Sequence, residues 1–148
     1  LERNPGANSS VHLIDMPIPP SLWHSSELAK KWAVIRQVRR VVTGALELER
    51  RDKNIGSSLE AAPLVYVTTD VAEILKSVAF ADLCITSSIE IDTGEAPEAA
   101  FSLEDTAGVS VSFAKAVGRK CNRCWKIASD VGSHSHPEVC GRCDSALK

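Results

Sequence analysis

The segments Cys121-Asn122-Arg123-Cys124 and Cys140-Gly141-Arg142-Cys143 are two Cys-x-x-Cys pairs separated by fifteen residues. Each such turn can direct two thiolates at one ion, and two turns together complete a tetrahedral site. Four protein ligands leave no open position at which a water could be activated, which favours a structural zinc over a catalytic one. The spacing therefore predicts one structural Zn²⁺ in a zinc ribbon over residues 118–148. Its predicted ligands are Cys121, Cys124, Cys140 and Cys143.

Two other interpretations of these cysteines are a redox dithiol and a pair of disulfides. A redox motif needs only one pair, at a strand-to-helix junction. Disulfides need an oxidising compartment, and the polar run over residues 1–10 does not have the layout of a signal peptide. His134 and His136 lie between the pairs, but four cysteines already satisfy the ion. Cys84 lies in an apolar, strand-like run and is interpreted as a small buried hydrophobic residue.

Composition describes a soluble globular protein: 148 residues, 44% hydrophobic and a net charge of −2. The apolar stretches are far too short to span a bilayer, so no membrane association is expected. Because the chain begins with Leu1 rather than Met, we expect it to be a piece of a larger protein.

The charge is distributed unevenly along the chain. Residues 30–53 hold eight Lys and Arg against three acids (+5), residues 54–114 hold one against ten (−9), and residues 115–148 hold seven against three (+4). Two basic segments around an acidic one suggest a polyanionic partner that is contacted at two places. The alternative is that each basic face is simply solvated.

A long amphipathic helix is predicted to begin near Ser25 or Ser26 and to end at about Arg51, because apolar residues recur there at spacings of three and four. Ser25 or Ser26 can cap its first turn. Gly44 either weakens the helix by about 1 kcal/mol relative to Ala or marks a close packing point. We expect partner helices from upstream to cover its apolar stripe.

A small α+β unit is predicted after the helix. A helix is expected over residues 70–79, with Thr69 or Asp70 as its cap. Alternating and apolar runs predict the strands. The expected strands are Leu64 to Thr68, Cys84 to Ile91, Ala100 to Leu103, and Val109 to Phe113.

Several segments, in this order, resemble the C-terminal region of bacterial isoleucyl-tRNA synthetases. They are Ser10-Val11-His12-Leu13, residues 46–51, the link at residues 53–61, Lys120-Cys121-Asn122-Arg123-Cys124-Trp125 and residues 136–143. The resemblance implies three domains: the end of a helical anticodon-binding bundle over 1–53, an α+β junction domain over 54–117, and a terminal zinc domain over 118–148.

By resemblance, the complete enzyme attaches isoleucine to its tRNA with ATP, and an inserted domain hydrolyses mischarged valyl-tRNA. The His-x-Gly-His and Lys-Met-Ser-Lys-Ser signatures do not occur in this sequence. ATP therefore belongs to a catalytic domain outside the chain, and no catalytic residue or activity is expected of this piece alone. The implied partners are the anticodon stem-loop of isoleucine tRNA and the other domains of a monomeric, cytoplasmic enzyme.

Candidate tRNA contacts follow from charge and placement. Trp125 either shields the small metal core or stacks on an unpaired base, which is worth about 1–3 kcal/mol. Basic residues surround it, and others project from the long helix. The predicted contacts are Arg123, Trp125, Lys126 and Arg142 in the ribbon, and Lys31, Arg36, Arg39 and Arg40 on the helix.

Two alternatives to this function remain. Formamidopyrimidine-DNA glycosylases end in a similar four-cysteine finger, but that class needs an N-terminal Pro-Glu and a helix-two-turn-helix. Here Pro97-Glu98 and Pro137-Glu138 are internal, and the upstream region is strand-like and acidic. The second alternative is a structural ribbon that braces protein–protein contacts.

Overall fold

The computed structural model describes residues 16–147, so the Ser10-Val11-His12-Leu13 motif lies outside the described residues. The architecture is α+β, as predicted: one long helix, a small four-stranded sheet with two short helices, and a cysteine-rich ribbon. No helix within residues 16–147 combines the length and the apolar character needed to cross a membrane.

Helix α1 spans Ser26–Arg51, which confirms the predicted C-terminal end and identifies Ser25 as the cap of the two candidates. The Ser25 hydroxyl accepts a hydrogen bond from the backbone N–H of Leu28 at 3.2 Å and so caps the first turn. At the other end, Lys53 adopts a left-handed conformation with φ 59°. The amide of Asn54 then bonds to the carbonyl of Glu49 at 2.9 Å, a Schellman arrangement that satisfies the last carbonyls of the helix.

One face of α1 packs against the α+β unit, and its buried residues share a single hydrophobic core with the sheet. Gly44 is a close packing point, because a Cβ atom there would lie 3.0 Å from Cε1 of Phe101. The α+β unit, and not the expected upstream helices, therefore covers the middle of the apolar stripe of α1. The first turns differ, since Leu28 is 52% exposed and Trp32 is half-buried. The buried α1 residues are Ile35, Val38, Val41, Val42, Ala45 and Leu46.

The sheet has the order β2-β1-β4-β3. Strands β1 and β2 are parallel and are joined by two short helices, whereas β4 runs antiparallel to both β1 and β3. Val65 on β1 and Val111 on β4 stand directly opposite each other in the core. The elements are β1 Leu64–Tyr66, α2 Thr69–Lys76, α3 Phe80–Leu83, β2 Glu90–Asp92, β3 Phe101–Ser102 and β4 Ser110–Ser112.

The predicted strand from Cys84 to Ile91 is wrong over most of its length. Cys84 is the C-cap of α3, and Ile85 adopts a left-handed conformation with φ 57° that ends the helix. The amide of Thr86 bonds to the carbonyl of Ala81 at 3.0 Å, a second Schellman arrangement. Only the last predicted residues enter β2. The helix predicted over 70–79 likewise stops at Lys76, and its N-cap is Thr68.

The ribbon consists of strands β5 (Arg119–Lys120) and β6 (Ile127–Ala128), which pair antiparallel, and the short helix α4 (Gly141–Ser145). Gly118 leads into β5 with φ 133°, and a Cβ atom there would lie 2.4 Å from the backbone of Ala128. Only glycine fits this approach. The ribbon core is small and consists of Cys121, Val131, Val139, Cys140 and Cys143 with parts of Cys124 and Ala128.

Candidate metal centre and nucleic-acid interface

The two Cys-x-x-Cys pairs converge. Cys121 and Cys124 lie in the loop of the β5–β6 hairpin, whereas Cys140 caps α4 and Cys143 lies in its first turn. Their four sulfur atoms all lie within 4.8 Å of one another. The Sγ atoms of Cys124 and Cys140 are 3.7 Å apart, and none of the cysteines forms a disulfide.

These distances suit one tetrahedral zinc. A Zn–S bond of about 2.3 Å places neighbouring sulfurs of a tetrahedron about 3.8 Å apart, whereas a disulfide would bring them to about 2.05 Å. The backbone amide of Cys140 donates to Sγ of Cys121 at 3.3 Å, and Arg123 donates to Sγ of Cys143 at 3.8 Å. Such donors stabilise thiolates and orient them.

The thiol pKa values also indicate a cation site. Burial raises the pKa of the Cys121 thiol, but backbone N–H groups donating to its sulfur outweigh burial and lower the pKa to about 6. Burial raises the pKa of Cys124 to about 12 and also raises that of Cys140. Four thiolates cannot occupy this space without a counter-charge, and a dication supplies it.

The two histidines of the loop between the pairs contact aspartates. Nε2 of His134 lies 2.9 Å from Asp130, whose carboxylate also accepts from the amide of Gly141 at 2.8 Å. Nδ1 of His136 lies 2.8 Å from the buried carboxylate of Asp144, which accepts from the His136 amide as well. These bonds fold the loop around the ribbon core and bring α4 into place.

Trp125 projects away from the metal core. Its side chain is 62% exposed and does not belong to the buried cluster of the ribbon. Its backbone is left-handed, with φ 65°, because the hairpin loop closes through bonds from Trp125 N to Cys121 O and from Cys121 N to Lys126 O. Nζ of Lys120 lies 5.5 Å from the centre of the indole ring. The structure therefore presents an aromatic face next to a cation, as a stacking surface requires.

Two of the predicted ribbon contacts pair with the α+β unit, in addition to Arg123, which donates to Sγ of Cys143. Lys126 forms an ion pair and hydrogen bond with Asp82 of α3, and Arg142 lies 3.6 Å from the same carboxylate. The Lys126 bond is the largest cause of the lowered pKa of Asp82. The amide of Ile127 also donates to the hydroxyl of Ser87 at 2.7 Å, so the ribbon is held against the α+β unit by polar bonds.

The predicted helix contacts divide into two pairs. Nε of Arg39 donates to the carbonyl of Leu83 at 2.7 Å, and Arg40 pairs with Asp105. Lys31 and Arg36, one turn or more towards the N-terminus, have no ion pair or hydrogen-bonded side chain within residues 16–147. Arg39 and Arg40 thus tie α1 to the α+β unit, while Lys31 and Arg36 stay available.

The acidic middle segment pairs with each of the two basic segments at one position. Asp82 faces the ribbon and Asp105 faces α1. The sequence gives no sign of these pairings, because the partners are 44 and 65 residues apart. Also unforeseen is a cleft beside Trp125, whose lining includes Glu60 from the link.

Known proteins show similarity both to the ribbon alone and to the whole chain. Residues 118–146 match a family described as a zinc finger found in FPG and IleRS. The chain is 53% identical to an isoleucine--tRNA ligase of Ruegeria pomeroyi over 148 residues, which cover 99% of this chain and 15% of that protein. It is 49% identical to the isoleucine--tRNA ligase of Bartonella henselae over 150 residues, with 100% and 15% covered.

A third relative, from Brucella abortus, is 47% identical over 150 residues and bears the same name. The chain spans about 15% of the length of these curated relatives. Similarity therefore extends over the helix, the α+β unit and the ribbon in one stretch, and it is not confined to the cysteine-rich end.

Proposed function

Because the chain is homologous to isoleucine--tRNA ligases along its whole length, we propose that it is the C-terminal, tRNA-binding region of such an enzyme. That full-length similarity is the observation that carries the proposal. The complete enzyme would attach isoleucine to its tRNA with ATP, edit mischarged valine and work as a monomer in the cytoplasm. Its catalytic and editing sites would lie in other domains, which are partners of this region.

The metal supports the shape of the ribbon in this proposal. Cys121, Cys124, Cys140 and Cys143 would hold one Zn²⁺, since their sulfurs lie at distances that suit a tetrahedral site. With four protein ligands the ion takes no part in a reaction; it fixes the hairpin loop that carries Arg123 and Trp125.

The anticodon stem-loop would be bound at two surfaces. Trp125 offers a face for stacking with Lys120 beside its ring, and Lys31 and Arg36 offer uncommitted charge on α1. Lys126, Arg142, Arg39 and Arg40 would contribute less contact energy, because each must share its charge with an intramolecular partner. Their main role would be to hold the two surfaces in fixed relation.

A DNA-repair role has support only in the ribbon, whose family description names FPG as well as IleRS. The similarity of residues outside the ribbon to ligases argues against it, and also against a ribbon that serves protein contacts alone.

The test uses the complete ligase with Trp125→Ala and, separately, Arg36→Ala. Each change should raise KM for tRNA about tenfold, because one stacking or phosphate contact is lost. Isoleucine-dependent ATP–pyrophosphate exchange without tRNA should stay unchanged, since that reaction does not use this region. Lys76→Ala, which removes a cation from the acidic segment, is the matched control. An unchanged KM for tRNA in both variants would refute the proposed role.

A further inference from the structure

We propose that the cleft beside Trp125 binds a single unpaired nucleobase and that Glu60 selects a base with an amino group on its pairing edge. This inference rests on the proposed tRNA-binding function and adds to it a site for one base and the residue that discriminates. The cleft lies between the ribbon and the 3₁₀ turn Ser58–Glu60 of the link. Its lining residues are Ser57, Leu59, Glu60, Lys120, Trp125 and Ile127.

The size and walls of the cleft suit one flat ring system. Its volume is about 290 Å³, at the lower limit of the clefts that hold small organic ligands. The apolar part of the lining comes from the indole of Trp125 and the side chains of Leu59 and Ile127. A base that leaves its stack needs such an apolar and aromatic surface to recover stacking energy.

The backbone of Trp125 points to the same use. A bulky residue at φ 65° occupies a sparsely populated and energetically unfavourable region. Burial does not offset this cost, because the ring is 62% exposed. In this conformation the Trp125 side chain lines the cleft, where a ligand can cover it.

The polar groups of the cleft supply the discrimination. Oε2 of Glu60 accepts a hydrogen bond from the backbone amide of Gly56 at 3.2 Å, which fixes the carboxylate. Among the residues that the structure describes, Oε1 has no hydrogen-bond partner, and Glu60 makes no ion pair with Lys120. Lys120 is held near the ring of Trp125 instead. The cleft thus carries a spare anionic acceptor and, separately, a spare cation.

A fixed carboxylate oxygen distinguishes bases by their pairing edges. Cytosine, adenine and guanine each carry an exocyclic amino group that can donate to Oε1 of Glu60. The single N–H on the pairing edge of uracil lies between two carbonyl oxygens, which the carboxylate would repel. Lys120 can meet a phosphate or ring acceptor of the same nucleotide. The site therefore favours an amino-bearing base and disfavours uracil.

The decisive variant is Glu60→Gln in the complete, zinc-loaded ligase. The Gly56 amide needs an acceptor, so the glutamine oxygen should take the place of Oε2 and turn the NH₂ group towards the cleft. A donor then replaces an acceptor at one point with the turn preserved. Glu98→Gln, the same change on an exposed loop, is the control. Equal thermal midpoints of both variants and the parent would establish that the fold is kept.

The probe is isoleucine tRNA, together with versions in which each amino group of the anticodon loop is removed in turn with a base analogue. For the parent enzyme, one of these removals should weaken binding about tenfold, the usual effect of losing a charged hydrogen bond. Glu60→Gln should weaken binding of the natural tRNA by a similar factor and be indifferent to that same removal.

Three outcomes separate this inference from the function on which it rests. The base site would be overturned if Glu60→Gln bound the natural tRNA as tightly as the parent does. It would also be overturned if the affinity loss from Glu60→Gln multiplied with the loss from every amino-group removal, because then no base would be coupled to Glu60. If that happens while Arg36→Ala still weakens binding, the proposed tRNA-binding function stands and only the base site fails. If Arg36→Ala and Trp125→Ala are also without effect, the proposed function fails together with the base site.

Discussion

Cys84 differs from the other four cysteines because it lies in the core of the α+β unit and outside the cysteine cluster of the ribbon. It is 2% exposed at the end of α3, and burial raises the pKa of its thiol to about 12, with the nearby charge of Arg39 acting weakly in the opposite direction. A thiol that is both shielded and protonated does not react, because the thiolate is the nucleophile. The sequence-based interpretation of Cys84 as a buried hydrophobic residue is confirmed, although the strand predicted around it is wrong.

This difference predicts how many thiols react. In the presence of a zinc chelator at pH 8, a thiol reagent should modify four cysteines of the native chain rapidly, and the fifth only when denaturant is added. Cys84→Ala should remove the slow thiol and leave the four fast ones. Rapid modification of five thiols before denaturation would contradict the burial of Cys84.

Element by element, the sequence predicts best where a pattern is long. The apolar spacing of α1 persists for about seven turns, so its bounds are recognisable without the structure. The run Leu83-Cys84-Ile85-Thr86 is too short for periodicity to separate a strand from the end of a helix. What decides it is the left-handed Ile85, a conformation that β-branched residues rarely adopt and that no pattern announces.

The site shows the same division. The four cysteines are identifiable because a metal imposes their spacing. The pairing of Lys126 with Asp82 and the approach of Trp125 to Glu60 depend on how the ribbon lies against the link, which short-range patterns do not contain. Charge alone could not tell that four of the seven predicted cations already have partners in the α+β unit.

The ribbon as an element should depend on its metal. Its apolar core is limited to a few residues around the cysteines, too little to hold about thirty residues folded. Metal binding therefore supplies the folding free energy of this element, of order 10 kcal/mol in comparable sites.

Chelation should abolish the protection of backbone amides from hydrogen exchange over residues 118–146 while leaving α1 and the sheet protected. Cys140→Ser should behave like chelation. Persistent protection of the ribbon in metal-free protein would contradict this dependence.

At the scale of the whole molecule, Asp82 links the α+β unit to the ribbon, a contact that the distribution of charge along the sequence does not predict. Lys126 and Arg142 of the ribbon both approach this carboxylate, and the Ile127 amide donates to Ser87 nearby in the chain. The hydrogen bond from Lys126 lowers the pKa of Asp82 against the opposing effect of burial. A carboxyl group with a lowered pKa stabilises the docked state above its unfolded pKa of about 3.9, and this contribution is lost as pH falls through the lower, folded value.

Neutralising Asp82 at pH 7 should therefore loosen the ribbon without unfolding it. The carboxylate is partly exposed, so Asp82→Asn should weaken docking by about 1 kcal/mol or less. The Ile127 amide donates across the contact between the ribbon and the α+β unit, and its hydrogen exchange in zinc-loaded protein should accelerate up to about fivefold.

Added salt should accelerate the exchange of Ile127 in the parent, because salt screens the ion pair between Lys126 and Asp82. It should have little effect in Asp82→Asn, which lacks that ion pair. Glu95→Gln is the control, because it removes a charge from the same acidic segment at an exposed position. It should leave the exchange rate of Ile127 unchanged, both with and without added salt. Equal exchange of Ile127 in the parent and in Asp82→Asn would show that the polar contact with Ser87 holds the ribbon without help from the ion pair.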